Sequence, residues 1–326
     1  MKMTSRALVA VGIFGLIFVS LTGQSYGALE VGFYKRKCFV DVERVVAAVV
    51  REKFFRDPTI VAALVRMQFH DCFVNGCDAS ILLDGISSEK TAGPNLSVRG
   101  YDVIDAVKTA VEFVCRGKVS CADIIVMATR EAVYLSGGGR YDVQTGRRDG
   151  NVSLATNVRL PSPSISVNQS VEAFKSKNLD VTDMVYLLGG HTIGVAHCSL
   201  FQDRLYNFQS TGRPDPSMDS SLLQKLRSIC PQNSESSRTA NLDQNVTSAF
   251  TVDNSFYKQI LAGKGVLQID QELAFDPKTK PAVTTIASSS SFSEKFGQAM
   301  VKLGAVGVLT GTEGEIRQSC RAVNTR

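Results

Sequence analysis

The sequence predicts a mainly α-helical fold, and three observations carry that prediction. Apolar residues recur at helical spacing along most of the chain, residues with capping side chains precede those runs, and strand-like alternation is short and rare. Of the 326 residues, about 299 follow an apolar N-terminal stretch, which is the upper end for one domain or enough for two closely packed lobes.

The first element is a leader. Lys2 and Arg6 open it, an apolar stretch runs from Ala7 to about Leu21, and Ser25, Tyr26 and Gly27 form a small-residue exit. This pattern predicts a secretory signal peptide over 1–27 and a mature chain over 28–326. The apolar stretch is interrupted by Gly12 and Gly15 and falls short of the roughly 20 residues a membrane span needs.

A helix is expected over 41–55, with Val42, Val45, Val46, Val49, Val50 and Phe54 on one stripe. Asp57 reads as an N-cap with Pro58 at the first helical position, opening a run in which Ile60, Val61, Ala63, Leu64 and Val65 precede Arg66 and His70. Those two residues lie one turn apart on one face, so a fixed cation and a titratable base point together out of an apolar context. Burying them against nothing would be costly, so something occupies the space they face.

Val103, Ile104, Val107, Val111 and Val114 predict a helix over 102–115, and Ser120 can cap another over 121–135 that Gly137, Gly138 and Gly139 end. Thr182 is expected to open 183–188, and helices over 222–229 and 293–303 complete the main set. Short strands are expected at 141–143 and 265–268. Segments 151–170 and 207–220, rich in Asn, Ser, Pro and Gly, read as surface loops.

Composition excludes more than it selects. The formal charge of +5 becomes +3 once Lys2 and Arg6 leave with the signal peptide, mildly basic and compatible at most with weak contact to acidic wall polysaccharide. No Lys and Arg run with interleaved aromatics suggests nucleic acid. All eight cysteines follow the leader, which in an oxidising compartment implies four disulfides. Only the Cys72 and Cys77 pair can be argued locally, and zinc is disfavoured because paired Cys-x-x-Cys ligands are lacking.

The chain has three histidines. His191, between Gly189-Gly190 and Thr192-Ile193-Gly194, reads either as a ligand to a large flat cofactor or as a satisfied core histidine; His197 reads as a helix-surface residue without a role. Asp71, Asp78, Ser80 and the carbonyls of Val74 and Gly76 offer hard oxygens on a glycine-bent loop, suited either to Ca²⁺ or to a capped turn within the Cys72–Cys77 ring.

Five motifs in order carry a resemblance. Arg66-Met-Gln-Phe-His70-Asp-Cys-Phe-Val-Asn-Gly-Cys77-Asp-Ala-Ser80, Val119-Ser-Cys-Ala-Asp123, Gly146-Arg-Arg-Asp149, Gly189-Gly-His191-Thr-Ile-Gly194 and Asp270-Gln-Glu-Leu273 stand as in the class III secretory plant peroxidases, and the match runs from Phe33 to Asn324. The resemblance implies a two-lobed fold with one b-type haem between a distal and a proximal lobe. It implies cleavage of H₂O₂ and two one-electron oxidations of small phenolic donors, in a monomer with no membrane or nucleic-acid partner.

It further implies roles. His191 matches the axial iron ligand and Asp270 the carboxylate that accepts its other N–H; His70 matches the proton acceptor, Arg66 the cation that stabilises the transition state, and Asn95 the amide that holds the His70 tautomer. Phe69 packs beside them, and donors meet the haem edge near Pro161. Two Ca²⁺ ions are implied, a distal one at Asp71, Val74, Gly76, Asp78, Ser80 and Glu89 and a proximal one at Thr192, Asp243, Ser248, Thr251 and Asp253. The cysteines pair as Cys38 with Cys115, Cys72 with Cys77, Cys121 with Cys320 and Cys198 with Cys230.

The chain departs from the family pattern at Phe39, where proline is usual, and at Tyr141, where tryptophan is usual. It looks one residue short between Asn95 and Arg99 and about two long between Asp243 and Asp253, which leaves Thr247 as an alternative to Ser248. Sequons for N-glycosylation stand at Asn95, Asn151, Asn168 and Asn245. Two other functional classes compete: a haem-containing wall protein with structural duties, and a secreted Cys/His hydrolase, against which the even cysteine count argues.

Overall fold

The computed structural model describes residues 29–232 and 237–325, so the expected leader over 1–27 lies outside them. Helix α1 (Val42–Arg56) is capped by the Asp41 carboxylate, which accepts from the Arg44 N–H, and its Val42, Val46 and Val50 stripe is buried. Helix α2 (Ile60–Cys72) begins later than expected. Asp57 closes α1 instead of capping α2, because the following Pro58 holds it extended, and its carboxylate accepts from the Thr59 N–H at 2.9 Å.

Helix α3 (Tyr101–Val114) follows Gly100. Helix α4 (Cys121–Leu135) is capped by Ser120, as its sequence predicts. Helix α1 packs on α3 and α4, and α2 on α4, forming the first lobe around Val50, Leu64, Val107, Val111 and Ile124. Truncating one such side chain, as in Leu64→Ala, removes about 2–5 kcal/mol.

The second lobe is built differently. Helix α5 (Val167–Lys175) starts inside a segment read as loop, opened by a capping box between Ser166 and Gln169. Helix α6 (Val181–Leu188) is opened by Asp180 rather than Thr182, through a reciprocal capping box with Asp183. Helices α7 (Gln202–Tyr206), α8 (Ser220–Ile229), α9 (Ser255–Leu261), α10 (Gln268–Leu273), α11 (Lys280–Ser288) and α12 (Phe292–Gly304) follow, and α12 packs on α6 and returns to α2, joining the lobes.

Strands are few among the described residues. β1 (Glu30–Val31) pairs antiparallel with β2 (Gln144–Thr145), and β3 (Val195–His197) with β4 (Thr239–Asn241). The strand expected at 141–143 does not form; pairing begins only at Gln144, and Tyr141 instead packs against Gly297. The strand expected at 265–268 does not form either, since the chain turns there into α10 and the Gly265 N–H donates to the Gln271 side chain at 2.9 Å. His197 lies on β3, opposite Thr239, and not on a helix surface.

The four disulfides are Cys38–Cys115, Cys72–Cys77, Cys121–Cys320 and Cys198–Cys230, and no described cysteine is free. Two of the sequence motifs lock each other. Asp123 accepts from Tyr34 Oη at 2.6 Å, the Gly146 N–H at 2.7 Å and Arg147 Nη1 at 2.9 Å, while Asp149 accepts from the Ala122 N–H at 2.9 Å and the Arg317 N–H at 3.0 Å. These carboxylates are buried but fully engaged, so they hold the start of α4 against the 146–149 strap and the C-terminal segment.

Candidate active site

Helix α2 delivers Arg66 and His70 on one face. Arg66 Nε donates to His70 Nε2 at 3.2 Å, Nη1 donates to the Ser97 carbonyl and hydroxyl at 3.1 Å each, and Nη2 to the Pro94 carbonyl at 2.9 Å. His70 Nδ1 lies 2.6 Å from Asn95 Oδ1, and Asn95 Nδ2 donates to the Glu89 carbonyl at 2.8 Å. Because the amide nitrogen is committed to a carbonyl, the amide oxygen must face His70. The imidazole therefore carries its proton on Nδ1, and its Nε2 lone pair, which here accepts from Arg66 Nε, is the position at which it can act as a base. Burial first, then the Arg66 charge, push the His70 pKa down to about 4 against the pull of the Asn95 hydrogen bond. Phe69 stacks on Phe73 with centroids 4.5 Å apart and meets Phe174 of α5 at 5.9 Å.

Helix α6 runs into the Gly189–Thr192 turn that carries His191. A Cβ on Gly189 would stand 2.2 Å from Tyr257 Oη, so only glycine lets the turn approach α9 this closely. His191 Nδ1 lies 2.8 Å from Asp270 Oδ1, and the ring meets Phe256 edge-on at 6.1 Å. Burial would lower the His191 pKa, but the charge and hydrogen bond of Asp270 outweigh it and the pKa is raised. The Arg66 charge bears on both histidines, and the turn that carries His191 packs against α2, since a Cβ on Gly190 would meet the Val65 side chain at 3.4 Å.

These residues fit a haem. Each histidine has Nδ1 tied to an anchor, His70 Nε2 takes only the Arg66 Nε–H, and the His191 side chain keeps 30% exposure despite its apolar surroundings. Asp270 Oδ2 is buried with no partner, leaving the carboxylate free to concentrate on His191. Pro161 is half-buried in the 160–163 loop, and that loop is fastened beside Asp270 because the Pro163 carbonyl accepts from the Ile269 N–H at 3.0 Å.

The loop after α2 gathers the expected distal oxygens. Asp71 accepts from the Ala79 N–H at 3.0 Å and Asp78 from the Ser80 N–H at 3.0 Å, while Ser80 Oγ and Glu89 Oε2 are buried without partners. A Cβ on Gly76 would lie 2.2 Å from the Gly307 carbonyl, so glycine is required where this loop meets the segment after α12. Burial, then the charges of Asp78 and Glu89, raise the Asp71 pKa; burial raises that of Asp78 and pushes that of Glu89 up to about 7. Mutually repelling carboxylates beside orphaned oxygens are a donor set that a hard cation would relieve. The Val74 carbonyl accepts from Lys177 Nζ at 2.9 Å, a partner the sequence pattern did not indicate.

On the proximal side Thr192 Oγ1 lies 3.2 Å from Asp253 Oδ1 and 3.3 Å from the Thr251 carbonyl, and Ser248 Oγ lies 3.1 Å from Asp243 Oδ2. Thr247 is exposed and turned to Asn245 instead, so geometry favours Ser248 of the two candidates. Ser255 is an addition: its buried hydroxyl reaches Asp243 Oδ1 at 3.4 Å and its N–H donates to Asp253 Oδ1 at 2.8 Å. Its Asp-x-Ser spacing from Asp253 was the only signal available. Among the described residues no three carboxylate, imidazole or thiol groups converge as a metal cluster, so hydroxyls and carbonyls must complete either donor set.

Comparison with known proteins agrees with this geometry. The peroxidase family model matches residues 46–289. Peroxidase 60 of Arabidopsis thaliana is 53% identical over 96% of this chain and 96% of its own length, Peroxidase 57 of the same plant is 51% identical over 92% and 94%, and Peroxidase N1 of Nicotiana tabacum is 44% identical over 90% of each. With that identity sustained across nearly the whole length, the chain belongs to the peroxidase family and is a plant class III haem peroxidase that uses H₂O₂.

Proposed function

We propose that this peroxidase acts outside the cell as a monomer, withdrawing single electrons from phenolic donors, with duties in wall cross-linking, lignin or suberin formation and removal of H₂O₂. The observation that carries the residue assignment is the pair of histidines, each pinned through Nδ1, with Arg66 bonded to one and the turn that carries the other packed against α2. Haem, held through His191 Nε2, would supply the two electrons that reduce the peroxide O–O bond and would then recover them one at a time from donors.

The chain's own residues then manage protons and charge. His70 Nε2 takes a proton from the nearer peroxide oxygen and returns it to the departing one, which leaves as water. Arg66 stays protonated and stabilises negative charge on the departing oxygen. Asn95 keeps the His70 lone pair on Nε2, and Asp270, by accepting the His191 Nδ1 proton, makes Nε2 a stronger donor. Donors meet the 160–163 loop at Pro161.

Two Ca²⁺ ions complete the proposal, one held by Asp71, Val74, Gly76, Asp78 and Ser80 with Glu89 beside them, the other by Thr192, Asp243, Ser248, Thr251 and Asp253. The leader over 1–27 directs secretion and releases a single domain, 28–326. No helix among the described residues is long and apolar enough to cross a membrane. Exposed Asn151 and Asn168 are suited to carry glycans; buried Asn95 is not, nor is Asn245, whose Nδ2 donates to Ser255 Oγ at 3.2 Å.

Purified haem-loaded chain should oxidise guaiacol only when H₂O₂ is added. His70→Ala should keep the haem Soret band and slow the peroxide-dependent step on the order of 10²–10⁴-fold. Unchanged turnover in that variant would remove His70 from the role of base.

A further inference from the structure

Two segments far apart in sequence meet at one disulfide and leave an exposed patch that none of the chemistry above uses. Cys38 and Cys115 are bonded with Cα atoms 5.4 Å apart. Phe39, next to Cys38, is 109% exposed, and Phe113, two residues before Cys115, is 92% exposed. The same segments carry Lys35, Arg36 and Lys37 on one side and Arg116 and Lys118 on the other, all exposed. Lys118 acts electrostatically on Lys37, so the two basic segments lie close together.

The cations lack carboxylate partners, although Lys37 Nζ also lies over the Phe33 ring, 3.1 Å from its centroid. Neighbouring carboxylates are already engaged, Asp41 with Arg44 at 3.3 Å and Glu112 with Lys108 at 2.7 Å, and Glu30 acts on Lys37 without forming an ion pair. None of these five cations makes an ion pair among the described residues. Five such cations stand here in a mature chain whose formal excess is only +3. Rings as large as phenylalanine are seldom left bare, and two beside a cluster of cations mark a surface that something covers.

We propose that this patch docks a polyuronate chain, a linear polysaccharide with a carboxylate on each sugar. The five cations meet carboxylates along the polymer, and Phe39 and Phe113 cover the apolar C–H faces of its sugar rings. An anionic lipid surface would satisfy the same charges, but such lipids face the cytosol, and the choice of polyuronate rests on the extracellular reading above. Because the disulfide fixes both segments, binding needs little ordering of the protein.

The test uses haem-loaded protein on immobilised polygalacturonate, eluted with NaCl. Wild type should be retained and released by salt. The set Lys35→Glu, Lys37→Glu, Arg116→Glu and Lys118→Glu should weaken retention about ten-fold or more, whereas reversing Lys175, Lys225, Lys278 and Lys280, which gives the same net charge, should leave most of it. Phe39→Ser with Phe113→Ser should weaken binding about two- to five-fold with the salt dependence unchanged. All variants should keep the Soret band and guaiacol turnover, which separates failure of docking from failure of the peroxidase reading.

Equal loss in the two charge sets would overturn the patch and leave only net charge. No retention of wild type would overturn it outright. Tighter binding to phosphatidylserine vesicles than to polygalacturonate would replace the polysaccharide with lipid, and unchanged binding of the phenylalanine variant would remove the sugar-stacking part.

Discussion

On the distal side His70 hands its Nδ1 proton to a neutral amide, and on the proximal side His191 hands its own to a buried carboxylate. Distances are close, 2.6 and 2.8 Å, yet one pKa is driven down to about 4 and the other is raised. An imidazole beside Asn95 and the Arg66 charge stays neutral and offers a lone pair, which suits a base. An imidazole beside Asp270 becomes electron-rich, which suits an axial ligand. The charge of the anchor, more than the histidine, separates the two roles.

Exchanging the anchors tests that contrast most strongly. Asp270→Asn should make the proximal side resemble the distal one and cost about 10–100-fold in haem retention or turnover, read from the Soret band during dialysis and from guaiacol oxidation. Full retention of both would show that the carboxylate charge is unimportant. Asn95→Asp should raise the His70 pKa to 6.5 or above, since the added negative charge favours the imidazolium. His70 would then be protonated at pH 5, lowering the peroxide-dependent rate about 30-fold there while leaving it nearly unchanged at pH 8. An identical pH profile in this variant would break the comparison.

How far these halves could be read from sequence differs for physical reasons. Helix α1 and the Arg66 and His70 pair were legible because a valine stripe and a four-residue spacing are local patterns. The Ser120 cap was legible for the same reason. Helix α6 was placed, but its opening was assigned to Thr182 because the reciprocal bond between Asp180 and Asp183 becomes apparent only in three dimensions. Four alternating residues at 265–268 suggested a strand, yet so short a run lacks a partner edge and continues into α10. Ser255 and Lys177 were missed at the two oxygen-lined loops because their contacts depend on how distant segments pack. The basic patch was diluted in the overall charge, since its halves are joined only by the Cys38–Cys115 bridge.

A smaller effect should follow from the proposed Ca²⁺ ions, and it should fall unequally on the two sides. The Glu89 carbonyl ties the distal oxygen loop to Asn95 and so to His70, whereas the proximal oxygens reach His191 through the adjacent Thr192. Removing Ca²⁺ with a chelator should slow the peroxide step about ten-fold by letting His70 drift, before any loss of helix by circular dichroism. Asp78→Asn should reproduce that slowing, and Asp253→Asn should spare it. If chelation left the peroxide step unchanged, the distal ion would be only a structural support.

The finest test concerns which influence holds His70 down. Burial is the larger and the Arg66 charge the second, so Arg66→Gln removes one and leaves the other. Because the wild-type pKa lies below the ordinary 6.5, His70 is neutral across the working range and its activity is lost as pH falls through about 4. Without the guanidinium that acid limb should move upward by about one pH unit and stop short of 6.5, whatever the variant loses in maximal rate. The limb position in a stopped-flow pH series reads the base, while the plateau reads the stabilising cation, so the two Arg66 effects separate. A limb that reached 6.5 would make the charge dominant over burial, and one that did not move would leave the distal base tuned by its surroundings alone.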